Sequence, residues 1–215
     1  MIELKNIYFG YKGKNTVIHD VSLTINAGDF IAVAGRNGSG KTTLTRLIMA
    51  LLKPSAGEIL FQNSIIANVT PAKMAHHIGY VFQNPDRQIF HDTVADETAY
   101  GPKQLGYKPE EIKTFVKEAL AVTGLSELAD AYPLSLSKGQ KQRLTIASAL
   151  AMQPQMLILD EPTSGQDARE RDELLHLLLT LNAQGKTILL VTHDMELLSA
   201  CAQRAIVMAK GHKAF

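Results

Sequence analysis

Apolar and polar residues alternate at Ile2 and Leu4 and again across residues 17–25, the period of two expected of a half-buried strand. Gly10, Gly13 and the Ala27-Gly28-Asp29 break supply turn signals, so the chain is expected to open with a small antiparallel layer. Residues 30–34 form a short continuous apolar run. A glycine-rich loop and an amphipathic stretch over 41–52 follow, which together read as strand, loop and helix. Short apolar runs at 78–82, 156–159, 187–191 and 205–209 alternate with helical patterns, as a parallel sheet with crossover helices requires. Between about 92 and 134 the pattern changes: helical periodicity covers 109–122 and 125–131 with no strand between. The expected fold class is therefore α/β, a mainly parallel sheet with an N-terminal antiparallel layer and a helical subdomain inserted at about 90–152. No repeat or linker divides residues 1–215.

Composition narrows the function. The chain has 215 residues, 46% of them apolar, which suits one globular unit and excludes disorder or a disulfide scaffold. Lys plus Arg total 22 against 21 for Asp plus Glu, so the net charge of +1 argues against nucleic acid as the main partner. The one cysteine, Cys201, has no internal partner, and the start MIELKNIYFG lacks a leader pattern; both point to the cytosol. The longest apolar run, residues 47–52, is far short of the roughly 20 a membrane-spanning helix needs. Any work at a membrane requires another polypeptide to span it.

The segment Gly35-Arg36-Asn37-Gly38-Ser39-Gly40-Lys41-Thr42 fits G-x-x-x-x-G-K-[ST], follows a predicted strand and opens a predicted helix. Chance matches in this length number about 0.01 at ordinary residue frequencies. The glycines let the backbone curl so that successive N–H groups face phosphate oxygens, and the helix adds the positive end of its dipole. Lys41 brings a point charge to the β and γ phosphates of ATP, and the Thr42 hydroxyl is placed to hold Mg²⁺. Asn37, Ser39 and Thr43 complete the nucleotide loop.

Two carboxylates, Asp160 and Glu161, end the apolar run at 156–159, at the carboxyl end of a strand where open α/β sheets bind ligands. Neighbouring strand residues face opposite ways, so Asp160 turns towards Thr42 and the metal while Glu161 suits polarising the attacking water. His193 follows the 187–191 run at another carboxyl end, within reach of a γ phosphate or that water. His76, His77, His91, His176 and His212 lack such context and read as ordinary surface or core residues.

Leu136-Ser137-Lys138-Gly139-Gln140 resembles the LSGGQ signature of the ATP-binding cassette (ABC) ATPases. Tyr11, the phosphate loop, Gln83, the signature, residues 157–161, Ser164-Gly165-Gln166-Asp167 and His193 occur in that family's order and cover nearly the whole chain. The resemblance implies a P-loop core and a two-fold dimer in which the signature of one chain closes the ATP site of the other. It also implies that Tyr11 stacks on adenine, that Gln83 joins the Mg²⁺ and water shell, and that residues 164–167 cross the dimer interface. Two positions differ from the family's usual pattern, Lys138 for the middle glycine and Gln166 for leucine.

The segment Phe82-Gln83-Asn84-Pro85-Asp86-Arg87-Gln88-Ile89-Phe90 looks like the one after the glutamine loop in energy-coupling-factor ATPases, which import cobalt, nickel or vitamins. The resemblance implies peripheral attachment at the cytoplasmic face of the cell membrane. It also implies a second ATPase subunit and integral membrane partners contacted through residues 84–90, where an exposed Ile89–Phe90 pair beside Arg87 suits docking. Family members often extend beyond Phe215, so the chain reads as a short or C-terminally cut member. The alternative is a soluble ABC-type assembly factor or clamp. A catalytically silent half of a heterodimer is disfavoured by intact Lys41, Asp160, Glu161 and His193.

Overall fold

The computed structural model describes residues 1–13 and 15–215. Strands β1 (Ile2–Gly10) and β2 (Thr16–Ile25) pair antiparallel, and β4 (Ala56–Phe61) and β5 (Ser64–Ile65) extend that sheet in the order β2-β1-β4-β5. The second sheet holds β3 (Phe30–Ala34), β6 (Ile78–Val81), β7 (Met156–Asp160), β8 (Thr187–Val191), β9 (Arg204–Ala209) and β10 (His212–Lys213) in the order β10-β9-β3-β8-β7-β6. All its pairings are parallel except β9 with β10.

Because side chains alternate along a strand, the parallel sheet feeds two cores. Ile31, Val33, Met156, Ile158, Leu189 and Val191 pack with the antiparallel sheet and with Leu44, Leu47 and Ile48 of α1 (Lys41–Ile48). Phe30, Leu157, Leu159, Ile188 and Leu190 pack on the other face with residues of α5 (Lys138–Ala151), α6 (Ala168–Ala183) and α7 (Met195–Cys201). This double burial explains runs with no polar residue: neither face meets water. Helices α3 (Val94–Gln104) and α4 (Pro109–Val122) pack on each other and on α5, forming the helical part; α2 (Pro71–Ala75) leads into β6.

Four details depart from expectation. The helix predicted over 41–52 stops at Ile48, because Ala50 turns into the left-handed region (φ 56°) and the Leu51 and Leu52 amides both return to Arg46 O. The predicted helix over 125–131 is a single 3-10 turn, Ser126–Leu128. Strand β4 was hidden because its first three residues, Ala56, Gly57 and Glu58, are exposed and carry no alternation. Helix α3 was masked by Pro102, which interrupts the helical pattern near its end.

Candidate active site

The phosphate loop joins β3 to α1 on the face that α1 covers. Gly35 (φ 148°) and Gly40 (φ 104°) lie where side chains strain the backbone; a Cβ on Gly35 collides with Met208 O, and one on Gly40 comes within 2.8 Å of Ile18 Cδ1. The antiparallel layer and β9 thus press the loop into shape. Lys41 Nζ donates to Gly35 O at 2.7 Å and Arg36 O at 3.3 Å, and lies 3.7 Å from Glu161 Oε1. Ser39 Oγ is buried with no hydrogen-bond partner among the described residues. An unpaired buried hydroxyl is costly, and a loop whose backbone amides and ammonium converge beside it fits a phosphate group.

Parity places the metal-side carboxylate. Met156, Ile158 and Asp160 share the face under α1, so Asp160 meets Thr42 while Leu157 and Leu159 point to the opposite core. Thr42 Oγ1 donates to Asp160 Oδ2 at 2.9 Å, and the Tyr80 hydroxyl donates to the same oxygen at 3.2 Å. Asp160 Oδ1 is buried and has no partner among the described residues. Burial pushes the Asp160 carboxyl up, opposed by the hydrogen bonds from Thr42 and Tyr80; burial, then the Asp160 charge, pushes the Tyr80 phenol up, which keeps it a donor. Mg²⁺ takes hard oxygen ligands and keeps several waters and phosphate oxygens. Thr42 Oγ1 and the unpartnered Asp160 Oδ1 fit that donor set.

Glu161 leaves the strand in the left-handed region (φ 52°), unusual for a side chain with a Cβ, and its amide donates to Val191 O at 2.8 Å. That turn aims a nearly buried carboxylate at Lys41 on one side and at His193 Nδ1, 2.5 Å from Oε2, on the other. The His193 loop is pinned next door. Asp194 caps α7 by accepting the Glu196 and Leu197 amides and pairs with Arg171 at 3.2 Å, and these bonds, Leu197's first, hold its carboxyl below the usual range.

Gln83 is exposed and lines a cavity of about 800 Å³ with Thr42, Asp160, Lys138 and Ser164. Arg46, Tyr80 and Arg87 line the same cavity. Tyr11 packs edge-on against Phe9 (centroids 4.9 Å apart) with its hydroxyl 3.4 Å from Thr43 Oγ1, beside the first turn of α1.

The signature segment starts α5. Ser137 is its N-cap: Oγ accepts the Gln140 amide at 3.1 Å, and the Gln140 side chain accepts the Ser137 amide at 2.9 Å. The Gly139 amide donates to Glu170 Oε1 at 3.1 Å, and a Cβ at Gly139 lands 2.5 Å from that oxygen. Lys138 reaches over Gly165 with its ammonium. Gln166 Oε1 is buried without a partner among the described residues, and Asp167 caps α6 by accepting the Glu170 amide at 2.8 Å.

One expectation is overturned nearby. Ile89 is buried (7% exposed) in the second core, whereas Phe90 is 64% exposed, so the pair does not form one docking face. Glu97, buried in α3, accepts the Phe90 and His91 amides and His91 Nδ1, fixing this segment to the helical part. His91, read from sequence as an ordinary residue, packs with Phe90 and Tyr100. The sequence reading singled out neither Tyr80 nor Glu97. The available signal for Tyr80 is parity, since it shares the face of Ile78; Glu97 carries none, because it stands beside Asp96 in the first turn of α3 and nothing local tells which of the two turns inward.

Among the described residues no helix is long and apolar enough to cross a membrane. A family model described as ABC transporter matches residues 18–164. A Pyrococcus furiosus protein named as an ABC transporter ATP-binding protein is 42% identical over 215 residues, spanning 100% of this chain and 82% of that one. A Methanosarcina acetivorans protein of like name is 42% identical over 222 residues, spanning 99% and 80%. Among solved structures, CbiO1 of Clostridium perfringens, described as part of the ABC transporter complex CbiONQ, has a TM-score of 0.93 at 34% identity, covering 100% of this chain and 86% of that one. A bacterial ABC transporter cassette solved as a dimer has a TM-score of 0.89 at 31% identity, covering 100% and 97%. A dimeric cassette in a post-hydrolysis state bound to ADP and Pi has a TM-score of 0.88 at 30% identity, with the same coverage.

Proposed function

The chain belongs to the ABC transporter family as its ATPase component, and from that premise we propose that it hydrolyses ATP to drive uptake of a micronutrient, a cobalt or nickel ion or a vitamin, through membrane partner subunits. The observation that carries this reading is the buried Lys41–Glu161 pair, met by His193 from the exposed side and set beside the Thr42–Asp160 pair. The likeness to CbiO1 across the full chain supports the micronutrient class.

In this reading the phosphate-loop amides and Lys41 bind the β and γ phosphates, and Tyr11 packs on the adenine. Mg²⁺, when bound, neutralises charge building on the phosphate oxygens; Thr42, Asp160 and Gln83 are its protein neighbours. Glu161 accepts a hydrogen bond from the water that attacks the γ phosphorus, polarising it, and His193 holds that carboxylate in place and reaches the γ phosphate. A second ATPase subunit closes the site with Leu136, Ser137, Lys138, Gly139 and Gln140, while Ser164, Gly165, Gln166 and Asp167 line the two-fold contact. Residues 1–215 act as one ATPase unit, and the helical part, about 90–152, carries the docking segment 84–90 to integral membrane subunits at the cytoplasmic face. With Ile89 buried, the exposed contact there is Phe90 with Arg87.

The test is capture of the tagged chain from detergent-solubilised native membranes, with partners identified by mass spectrometry. A polytopic membrane subunit recovered with a small substrate-binding membrane protein is the expected result. Recovery of soluble partners only overturns the transport reading in favour of a soluble assembly factor.

A further inference from the structure

Strand β6 sits at the edge of the parallel sheet beside β7, in the register Tyr80↔Ile158. Ile78 and Tyr80 therefore share the face of Ile158 and Asp160, under α1. From that face the Tyr80 hydroxyl reaches two polar groups: Asp160 Oδ2 at 3.2 Å and Thr45 Oγ1 at 3.1 Å. Thr45 is fully buried; with the Tyr80 hydrogen given to Asp160, the single Thr45 hydrogen is shared between the Tyr80 oxygen and Thr42 O at 2.9 Å, which ties the back of the cluster to the turn that carries Thr42. Thr42 Oγ1 meets the same carboxylate oxygen from the other side at 2.9 Å.

The asymmetry of that carboxylate is the informative point. Oδ2 accepts two hydroxyl hydrogens, Oδ1 accepts none from the described residues, and both belong to a residue 5% exposed at the wall of the cavity shared with Thr42 and Gln83. A carboxylate free to rotate presents either oxygen to a metal; one clamped through a single oxygen presents only the other. A phenol held on a strand is a rigid clamp, since it has two side-chain torsions and the strand fixes its backbone.

We propose that Tyr80 is a positioning residue for the metal of the ATP site: its hydroxyl, backed by Thr45, fixes the Asp160 carboxylate through Oδ2 so that Oδ1 and the Thr42 hydroxyl form the protein side of the Mg²⁺ site. The inference rests on the ATPase reading above and adds to it a group that touches neither metal nor nucleotide.

The experiment uses the purified full chain, Mn²⁺ as a paramagnetic stand-in for Mg²⁺, and a non-hydrolysable ATP analogue. Electron paramagnetic resonance reads free Mn²⁺, and a fluorescent ATP analogue in EDTA reads nucleotide affinity without metal. Tyr80→Phe is expected to weaken Mn²⁺ binding in the ternary complex roughly 10-fold, the usual effect of removing an outer-shell partner, with metal-free nucleotide affinity unchanged. The Mg²⁺ KM for hydrolysis rises to match, while kcat at saturating Mg²⁺ holds. Thr45→Val, which leaves the Tyr80 ring in place, is expected to move Mn²⁺ affinity the same way by less, and it serves alone where Tyr80→Phe does not fold. Mn²⁺ affinity within twofold of the native chain in a folded variant overturns the proposal. Failure of the native chain to bind Mn²⁺ with nucleotide overturns the ATPase reading instead.

Discussion

The phosphate-loop side and the signature side of this molecule are built on opposite plans. On the first, buried Lys41, Asp160 and Glu161 are bonded to their neighbours: Thr42 and Tyr80 meet Asp160, and Lys41 and the exposed His193 meet Glu161. On the second, Ser137 and Lys138 are exposed, and the Gly139 amide at the start of α5 is held by Glu170 of the same chain. The ladders of β6, β7 and β8 fix Tyr80 and Asp160, and the bond from the Glu161 amide to Val191 O fixes the turn that follows β7. The second set sits at a helix terminus where the carboxylate that meets the Gly139 amide is a side chain the fold itself supplies. In the proposed reading the first set is the hydrolytic half and the second the half that closes a partner's site, which is the division a two-fold dimer would use.

The largest break in that contrast is Glu161→Gln. It keeps the hydrogen-bonding shape but removes the acceptor charge, and is expected to lower hydrolysis by about 10²–10⁴-fold while ATP binding persists and a closed dimer accumulates. Steady-state ATPase assay and gel filtration with ATP read both; native-rate hydrolysis removes Glu161 from the role of base.

Next comes Ile89→Ala, which opens a cavity in the second core at the root of the docking segment and is expected to cost about 2–4 kcal/mol in urea unfolding. Phe90→Ala, at the exposed neighbour, is expected to stay within about 0.5 kcal/mol yet reduce capture of membrane subunits. Equal stability losses for the two contradict the division of that pair into core and surface.

Asp160→Asn sharpens the electrostatic side of the comparison. Burial raises the folded-state pKa of Asp160 above its unfolded value, so the folded chain binds that proton more tightly. Its stabilising contribution is present below the unfolded pKa and is lost as pH rises through the raised one. The Asp160 contribution to the melting temperature of the nucleotide-free chain thus falls as pH climbs through the acid range, against the rising contributions of Asp194 and Glu173, whose carboxyls are held low. Asp160→Asn is expected to remove the falling component, seen as a steeper rise than the native chain's in thermal melts across pH. An unchanged slope assigns it to other carboxylates.

The smallest effect belongs to Glu170→Gln. Removing a carboxylate from the α5 N-terminus frees the Gly139 amide for another anion, and is expected to strengthen ATP-driven dimerisation about two- to fivefold, the scale of a charge at a helix end. Sedimentation in a Glu161→Gln background measures it. Weaker dimerisation shows that Glu170 supports the signature helix rather than competing for it.

Much of this was legible along the chain. The runs at 30–34, 156–159 and 187–191 appear as β3, β7 and β8 because doubly buried strands admit no polar residue, and the phosphate loop falls between β3 and α1 as its spacing requires. Asp160 facing Thr42 followed from strand parity alone. Ile89 did not follow, since an apolar pair in a polar loop carries no sign of which member turns inward. Glu97 was unreadable for the same reason: the amides it satisfies at Phe90 and His91 belong to a loop whose path only packing sets.

The sequence by itself determined the order of β3, α1, β6, β7, β8 and β9, the two-faced sheet and the set of residues at its carboxyl edge, because periodicity and local spacing act over a few residues. Only the tertiary structure decided that Tyr80 clamps Asp160, that Glu170 caps Gly139 and that Lys138 lies over Gly165. Each joins residues 27 to 80 positions apart. Contacts of that kind are fixed by how sheet and helices pack rather than by any pattern along the chain.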